Sequence, residues 1–264
     1  PAPRFRLERN RENRGFAAAN NQGARLAAGR LIALLNNDAE AHPGWLKELR
    51  SGLARDPGYG MAACKILVWE DPSIIDKAGH LIYPDGQNRG RGTGERDIGQ
   101  YDREEEVLWP DGCAGLCRRA VFDELGGFDE DFFAYAEDAE LGLRARMAGW
   151  RCIYIPTSVV YHHRASSLGL GSFRRLRLIE RNRVLLAVKL FPWSLLWRNA
   201  AYYLMRLAGG AAAAAAGKGE INHFPGLKGK VRAISALLTG DLQALWLMAR
   251  MLRKRRIFSR RTKL

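Results

Sequence analysis

The 264-residue sequence lacks the marks of a disulfide scaffold, a zinc ribbon or a membrane-spanning chain. Its four cysteines, Cys64, Cys113, Cys117 and Cys152, show neither C-x-x-C spacing nor a paired framework. They read as small buried residues in a reducing compartment. The opening PAPRFRLERN contains no apolar signal-peptide core and no initiator Met, and it reads as the end of a strand, so a fragment is expected. No uncharged run reaches the roughly 18–20 residues of a spanning helix. Residues 184–216 come nearest, but Lys189, Pro192, Arg198 and Arg206 interrupt them. Acidic residues are scarce in the last third: residues 171–264 hold 20 Lys/Arg against 3 Asp/Glu, whereas residues 1–170 hold 22 against 25. The net charge of +14 therefore resides in the tail. That distribution argues against a nucleic-acid enzyme with a basic cleft and for a segment that docks on an anionic surface. Aromatic residues interleaved with the basic ones, as base stacking requires, are nearly missing.

What is present is a globular composition, 47% apolar and 27% charged, long enough for one large domain or a domain with an appendage. The organising stretch is LAAGRLIALLNNDAEAHPGWL, residues 26–46. Ile32, Ala33, Leu34 and Leu35 form a short apolar run with the pattern of a parallel strand covered on both faces. Asn36, Asn37 and Asp38 follow at its carboxyl end, where open α/β sheets bind ligands. A carboxylate on such a loop can face a metal ion or a phosphate, although Asn36 and Asp38 equally suit a plain turn before the helix opening at Pro43.

The remaining elements follow in order. Phe5 and Leu7 alternate with charged residues as in an edge strand, and residues 16–28 read as an Ala-rich helix. Residues 43–56 form a helix and residues 59–69 a strand. Residues 71–111 read as a long loop crossing the active face, in which Gly90, Gly92 and Gly94 give only a weak phosphate-cradle signal. Arg118 and Arg119 could reach a phosphate or simply be solvated. Residues 128–150 carry the densest chemistry: Asp129, Glu130 and Asp131 precede an aromatic run, and Glu137 and Asp138 open a helix. There the macrodipole alone could account for both carboxylates. Glu140 can pair with Arg144 one turn on. Residues 151–161 give two short strands about Pro156, followed by His162 and His163.

Several of these blocks together resemble glycosyltransferase family 2, near its rhamnosyltransferase-like members. They are NRGFAAANNQGARLAAGRLIALLNNDAEAHPGWL, WPDGCAGLCRRAVFDELGGF, FDEDFFAYAEDAELGLRARMAGW and the Arg181-Asn182 pair, over about residues 5–185. The resemblance implies a GT-A fold, a Rossmann-like and mostly parallel α/β sheet, here missing its first βα units of roughly 50–60 residues. It implies a partial catalytic domain over residues 1–170, while the change of composition sets off a basic, helical region over residues 171–264 that reads as membrane-associated. Asn13, Gly15, Phe16, Asn20, Asn21, Gly23 and Asn37 would border the nucleotide. The D-x-D type motif stands as Asn36-Asn37-Asp38, with Asn at the first acidic position, so Asp38 is the surer metal ligand and Asn36 the weaker donor. His162, 24 residues beyond Asp138, would complete the metal shell. Oxygen donors with one imidazole suit Mn²⁺ or Mg²⁺, the nitrogen leaning toward Mn²⁺. Asp138 would be the general base and Glu137 would orient the acceptor.

The implied reaction is inverting transfer of a sugar from a nucleotide-diphosphate donor to a hydroxyl of a glycan or lipid-linked acceptor, in cell-envelope polysaccharide synthesis. The expected location is cytoplasmic, peripheral on the inner face of the plasma membrane. Trp193, Trp197, Tyr202 and Tyr203 would sit at headgroup depth, and the RKRRIFSRRTKL tail would attract anionic lipid. Two other readings are a catalytically inactive membrane-docking or scaffold relative and a nucleotidyltransferase on a similar sheet. Weak or no activity is expected of the 264 residues alone.

Overall fold

The protein is described here by a computed structural model, in which residues 5–163, 169, 171–215 and 220–262 are placed. Its elements follow the apolar periodicity of the sequence. Helix α1 (Gly15–Leu26) leads into β1 (Leu31–Leu35) and the short β2 (Ala39–Ala41). Helix α2 (Trp45–Ala54) buries Trp45, Leu49 and Leu53 at helical spacing. The long β3 (Tyr59–Val68) follows, buried from Gly60 to Leu67. Four short strands come next: β4 (Ile75–Lys77), β5 (His80–Ile82), β6 (Asn88–Gly90) and β7 (Glu105–Val107). Then come β8 (Ala114–Arg118), α3 (Arg119–Leu125), α4 (Glu137–Met147) and β9 (Arg151–His162). Three helices end the chain: α5 (Phe173–Leu190), α6 (Trp193–Ala215) and α7 (Gly226–Thr262).

The main sheet runs β1-β8-β3-β9-β2, with β4 beside β3 and β7 beside β9. The architecture is α/β, but the sheet is mixed where a mostly parallel one was expected. Among the described residues only β3 and β9 pair in parallel. Strand β8 returns from the turn at Asp111 and so runs antiparallel to both β1 and β3. Strand β1 is an outer strand of this sheet rather than a parallel strand covered on both faces: Ile32 is buried, whereas Ala33 and Leu35 are exposed.

Further corrections concern the chain ends and the long middle segment. Phe5 and Leu7 form no strand and are largely exposed. Residues 151–162 make one strand rather than two; the break expected at Pro156 is a bulge, where pairing with β3 jumps from Cys64↔Ile155 to Lys65↔Val159. Residues 71–111, read as a loop, contain β4 to β7. Gly90 lies in β6 and a side chain at Gly92 would collide with Tyr101, so neither forms a phosphate cradle. Arg118 and Arg119 do not reach for phosphate. Arg118 donates to the carbonyls of Leu53 and Tyr59 (both 2.7 Å), and Arg119 to those of Ala24, Ala27 and Gly29, so the pair caps the ends of α2 and α1.

Helices α5 and α7 share the core of the sheet: Leu185, Leu186, Leu190, Ala244 and Met251 join Met61, Trp109, Phe132 and Tyr154 in one cluster. Ala233, Ala236, Gly240 and Ala244 give α7 a buried face of small residues. A Cβ at Gly240 would lie 2.7 Å from the Arg177 carbonyl of α5, so this contact admits only glycine. Cys64, Cys113 and Cys152 are buried and all four cysteines are free, as read from the sequence.

Candidate active site

The site is assembled from two groups of polar side chains drawn from residues 36–162. The first forms because β2 turns back onto the end of β9. Asn36 N–H donates to the Cys113 carbonyl (2.8 Å), closing the β1–β8 ladder, and Ala39 N–H returns to the Asn36 carbonyl (3.2 Å). Ala39 then pairs with His162, and His163 N–H donates to the Asp38 carbonyl (2.9 Å). This turn sets Asp38 Oδ1 3.6 Å from His162 Nε2 although 124 positions separate them in the sequence. Asn36 is half-buried at the start of the turn and Asn37 is exposed at its tip. His162 Nδ1 lies 2.9 Å from Asp76 Oδ2 in β4. A carboxylate only accepts, so Nδ1 carries the hydrogen and the lone pair of Nε2 is on the Asp38 side. A carboxylate behind an imidazole is the outer arrangement that orients metal-binding histidines. With metal–ligand bonds of roughly 2.0–2.2 Å, one ion can bridge Nε2 and the Asp38 carboxylate across that gap. The residues fit a divalent ion.

The second group surrounds Asp138. Asp138 Oδ2 accepts from Gly112 N–H (3.1 Å) and stands 3.8 Å from His80 Nε2. The same Nε2 lies 2.8 Å from Asp111 Oδ2, and Asp111 Oδ1 accepts from Cys113 N–H (2.7 Å). Lys77 Nζ is 2.6 Å from Asp111 and 3.9 Å from Asp76. His80, Asp111 and Asp138 have ligand atoms within 4.8 Å of one another, a span a metal could bridge. Here Lys77 already supplies the cation beside Asp111, which leaves Asp38 and His162 as the better pair for an added ion. The contacts run without a gap from Asp38 through His162, Asp76, Lys77, Asp111 and His80 to Asp138. Asp38, His162 and Asp138 thus belong to one polar network.

Burial sets the protonation states. It raises Glu137 well above the usual carboxylate range, and the neighbouring Asp138 charge adds to the effect. Both effects favour the neutral acid at Glu137. Burial also raises Asp138, opposed by His80 and reinforced by Asp111. Burial would raise Asp111 too, but Lys77 and His80 outweigh it and hold that carboxyl well below its ordinary range. Lys77 is disfavoured by burial, yet Asp111 and Asp76 keep it charged and raise it.

The backbone that delivers Glu137 and Asp138 is strained. Phe133 (φ 63°), Tyr135 (φ 72°) and Ala136 (φ 63°) are left-handed without being glycine, a state costing about 1–3 kcal/mol each. The fully buried Asn182 of α5 holds this loop by donating to the carbonyls of Phe132 (2.8 Å), Ala134 (2.8 Å) and Tyr135 (2.6 Å). Arg181 adds bonds to Asp131 and Phe132 (3.0 and 2.9 Å).

Of the residues assigned to the nucleotide, Asn13, Asn20 and Asn21 have hydrogen-bond partners within the chain. Asn13 Oδ1 accepts from Gly15 N–H at the start of α1 (2.9 Å), and Asn20 donates to the Phe16 carbonyl (2.9 Å). Asn21 clamps Phe128 through both its amide atoms and also reaches Glu130. Gly15 (φ 83°) packs where a Cβ would fall 2.5 Å from the Phe133 carbonyl; only Gly23 faces open space. Asn13 and Asn20 thus bond within the α1 segment itself, whereas Asn21 ties α1 to Phe128. Sequence reasoning missed Asp76, Lys77, His80 and Asp111. All four lie in the segment read as a loop, and the usable signal was Asp76-Lys77 and His80 flanking a Gly turn. Arg164, which by its place after His163 in the sequence could contact a phosphate, lies outside the described residues.

This sheet, with its acidic loop after β1 and its carboxylates opening α4, is the α/β GT-A fold. The structure of GalNAc-T7 with UDP, GalNAc and Mn²⁺ shares the fold at a TM-score of 0.54 and 18% identity, over 69% of this chain and 36% of that one. The chain belongs to the family described as glycosyltransferase like family 2, whose model matches residues 3–180. The N-acetylglucosaminyl-diphospho-decaprenol L-rhamnosyltransferase of Mycobacterium tuberculosis is 47% identical over 148 residues, 52% of this chain and 48% of that protein. The O-antigen biosynthesis protein RfbC of Myxococcus xanthus is 33% identical over 159 residues, 58% of this chain and 12% of its own length. The chain thus spans half or less of the length of these relatives.

Proposed function

We propose that this chain carries the catalytic face of an inverting glycosyltransferase that moves a sugar from a nucleotide-diphosphate donor to a hydroxyl of a glycan or lipid-linked acceptor. The observation that carries the reading is the placement of Asp138: it opens α4, Gly112 N–H fixes its Oδ2, and a continuous polar network joins it to Asp38 and His162. The acceptor O–H bond breaks with its proton passing to the Asp138 carboxylate. The freed oxygen pair bonds to the anomeric carbon as the bond to the diphosphate breaks and its electrons leave with that group. A positioned base is worth roughly 10²–10⁴-fold in such a step. Asp38 and His162, with Asn36 as a weaker donor, would hold Mn²⁺ or Mg²⁺, which supplies positive charge to the departing diphosphate. Asp76 keeps the His162 ring turned for that role, and neutral Glu137 offers a hydroxyl donor beside the base. The name of the mycobacterial relative supports a rhamnosyl-type donor and a lipid-diphosphate acceptor.

A lipid-linked acceptor places the enzyme on the inner face of the plasma membrane. No helix among the described residues is long and apolar enough to cross a membrane. Support for surface docking comes from α7, where Leu227, Val231, Ile234, Leu238, Leu242 and Leu245 recur every three or four residues on an exposed stripe beside Trp246, which is 83% exposed. Lys228, Lys230 and Arg232 flank it, also exposed. The basic tail contributes less than its composition suggests. Lys254 pairs with Asp129 and Asp131, Arg250 with Asp131, and Arg255 with the carbonyls of Val188 and Phe191. Of the expected headgroup aromatics, Trp197 and Trp193 are both exposed, Trp193 also lying under Arg255, while Tyr203 donates to Asp241.

The test is transfer by the whole protein across a panel of nucleotide sugars and lipid-diphosphate acceptors with Mn²⁺. Product anomeric configuration is read by proton NMR. Loss of transfer in Asp138→Asn and Asp38→Ala with inverted product is expected; undiminished transfer by Asp138→Asn refutes the assignment.

A further inference from the structure

The base does not stand alone. Two carboxylates, Asp111 and Asp138, approach the same imidazole nitrogen from different elements, at 2.8 and 3.8 Å. Asp111 can only accept, so Nε2 of His80 carries the hydrogen it donates to Asp111 Oδ2, and Asp138 Oδ2 stands 3.8 Å from the same nitrogen. The ring cannot turn away: it is 5% exposed and lies nearly flat on Trp109, centroids 5.4 Å apart and planes 18° apart. Two carboxylates sharing a site suppress each other's ionisation, so one takes up a proton unless a donor or cation stands between them. Lys77 contacts Asp111 and not Asp138, which protects the wrong member of the pair for catalysis. His80 is the group that reaches both.

We propose that His80, clamped by Asp111 and Trp109, is a positioning residue that shares its Nε2–H between Asp111 and Asp138 and so keeps Asp138 ionised and turned toward the acceptor. The proposal rests on Asp138 being the base. The groups facing Asp138 are His80 from β5, Asp111 and the Gly112 amide ahead of β8, Lys77 from β4 at one remove, and Glu137 on its own helix. Among the described residues Asp111 is the carboxylate set against Asp138 across this nitrogen, and the N–H between them offsets that repulsion. Once Asp138 has taken the acceptor proton, the same N–H rests wholly on Asp111 and no further proton need move.

The consequence is a pH signature. Without the His80 donor, Asp138 protonates more readily, and the acidic limb of the kcat profile moves to higher pH by about one unit or more. His80→Leu should show that shift, whereas His80→Gln, whose amide N–H extends to a similar reach, should restore most of it. A merely structural role would lower kcat evenly at all pH values, and that pattern would overturn the proposal, as would identical profiles for the two variants. A second arm needs no activity. In protein carrying ¹⁵N-labelled histidine, the His80 ring signals are assigned by their loss in His80→Gln and followed through a pH titration of wild type and Asp138→Asn. The proposal expects an inflection in wild type that disappears in Asp138→Asn. Superimposable His80 titrations would overturn it, even if transfer by the protein had meanwhile been demonstrated. Transfer undiminished in Asp138→Asn would instead overturn the choice of base while leaving the NMR coupling to be read on its own.

Discussion

Replacing Asp76 by Ala should weaken divalent metal binding without unfolding the protein. Asp76 is 4% exposed, and its Oδ2 holds His162 Nδ1 at 2.9 Å. That bond fixes the tautomer in which Nε2 offers its lone pair beside Asp38 Oδ1, 3.6 Å away. The carboxylate also makes the imidazole a better donor by stabilising the charge it gives up to a metal. Losing such an outer partner typically costs about 10–100-fold in metal affinity, which corresponds to roughly 1.4–2.7 kcal/mol. Lys77, the other neighbour of Asp76, keeps its closer contact with Asp111 (2.6 Å against 3.9 Å), so no buried cation is stranded. Free Mn²⁺ would be titrated by electron paramagnetic resonance with a nucleoside diphosphate present. Asp76→Asn, which retains an oxygen acceptor for Nδ1, should fall between wild type and Asp76→Ala. Asp138→Asn should bind Mn²⁺ as wild type does. An Asp76→Ala affinity within twofold of wild type would refute the reasoning.

Other outcomes follow from the same contacts. Burial holds Glu137 protonated, so its contribution to stability is full below its ordinary value of 4.5 and is lost as pH rises toward its raised value. Glu137→Gln should therefore unfold at the same or a higher temperature at pH 8 and keep transfer that Asp138→Asn loses, as read by scanning calorimetry and product assay. Asp129 shows the opposite sign: burial would raise it, but Lys189 (2.6 Å) and Lys254 bring it down to about 2. Its stabilisation is present above the ordinary value of 3.8 and lost as pH falls through about 2. It amounts to something on the order of 2 kcal/mol, and Asp129→Asn should remove that dependence from acid unfolding curves. Asn182→Ala leaves the carbonyls of a strained loop without their donor and should cost about 1–3 kcal/mol, with kcat falling before secondary structure does in circular dichroism. Leu238→Glu with Leu242→Glu should abolish cosedimentation with phosphatidylglycerol vesicles, while neutralising Lys254 and Arg255 should change it little; the reverse ranking would return the membrane contact to the tail.

How much of this could be read beforehand depends on where the determining contacts lie along the chain. The strand at residues 31–35, the helices at residues 16–28 and 43–56 and the opening of α4 at Glu137 have local periodicity or caps, and they form about where read. The family blocks located Asp38, His162 and Asp138, and the turn of β2 onto β9 supplies the physical reason the first two meet. Direction of pairing was illegible because the turn at Asp111 that returns β8 lies far in sequence from β1, the strand it comes to pair with. Asp76, His80 and Asp111 were invisible for a related reason. Asp76 and His80 lie in strands three residues long, too short for alternation to register, Asp111 lies in a turn, and their partners are 31 to 86 positions away. Net charge likewise does not reveal that Arg250 and Lys254 of the tail are paired with Asp129 and Asp131.

The most direct test is the position of a bound ion. Crystals of the protein grown with Mn²⁺ and a nucleoside diphosphate, measured at the manganese edge, would locate it by anomalous scattering. The account predicts one peak bonded to Asp38 and to Nε2 of His162, with Asp76 behind the imidazole and Asp138 uncoordinated. A peak held by His80, Asp111 and Asp138 would contradict it, because the base would then be a metal ligand.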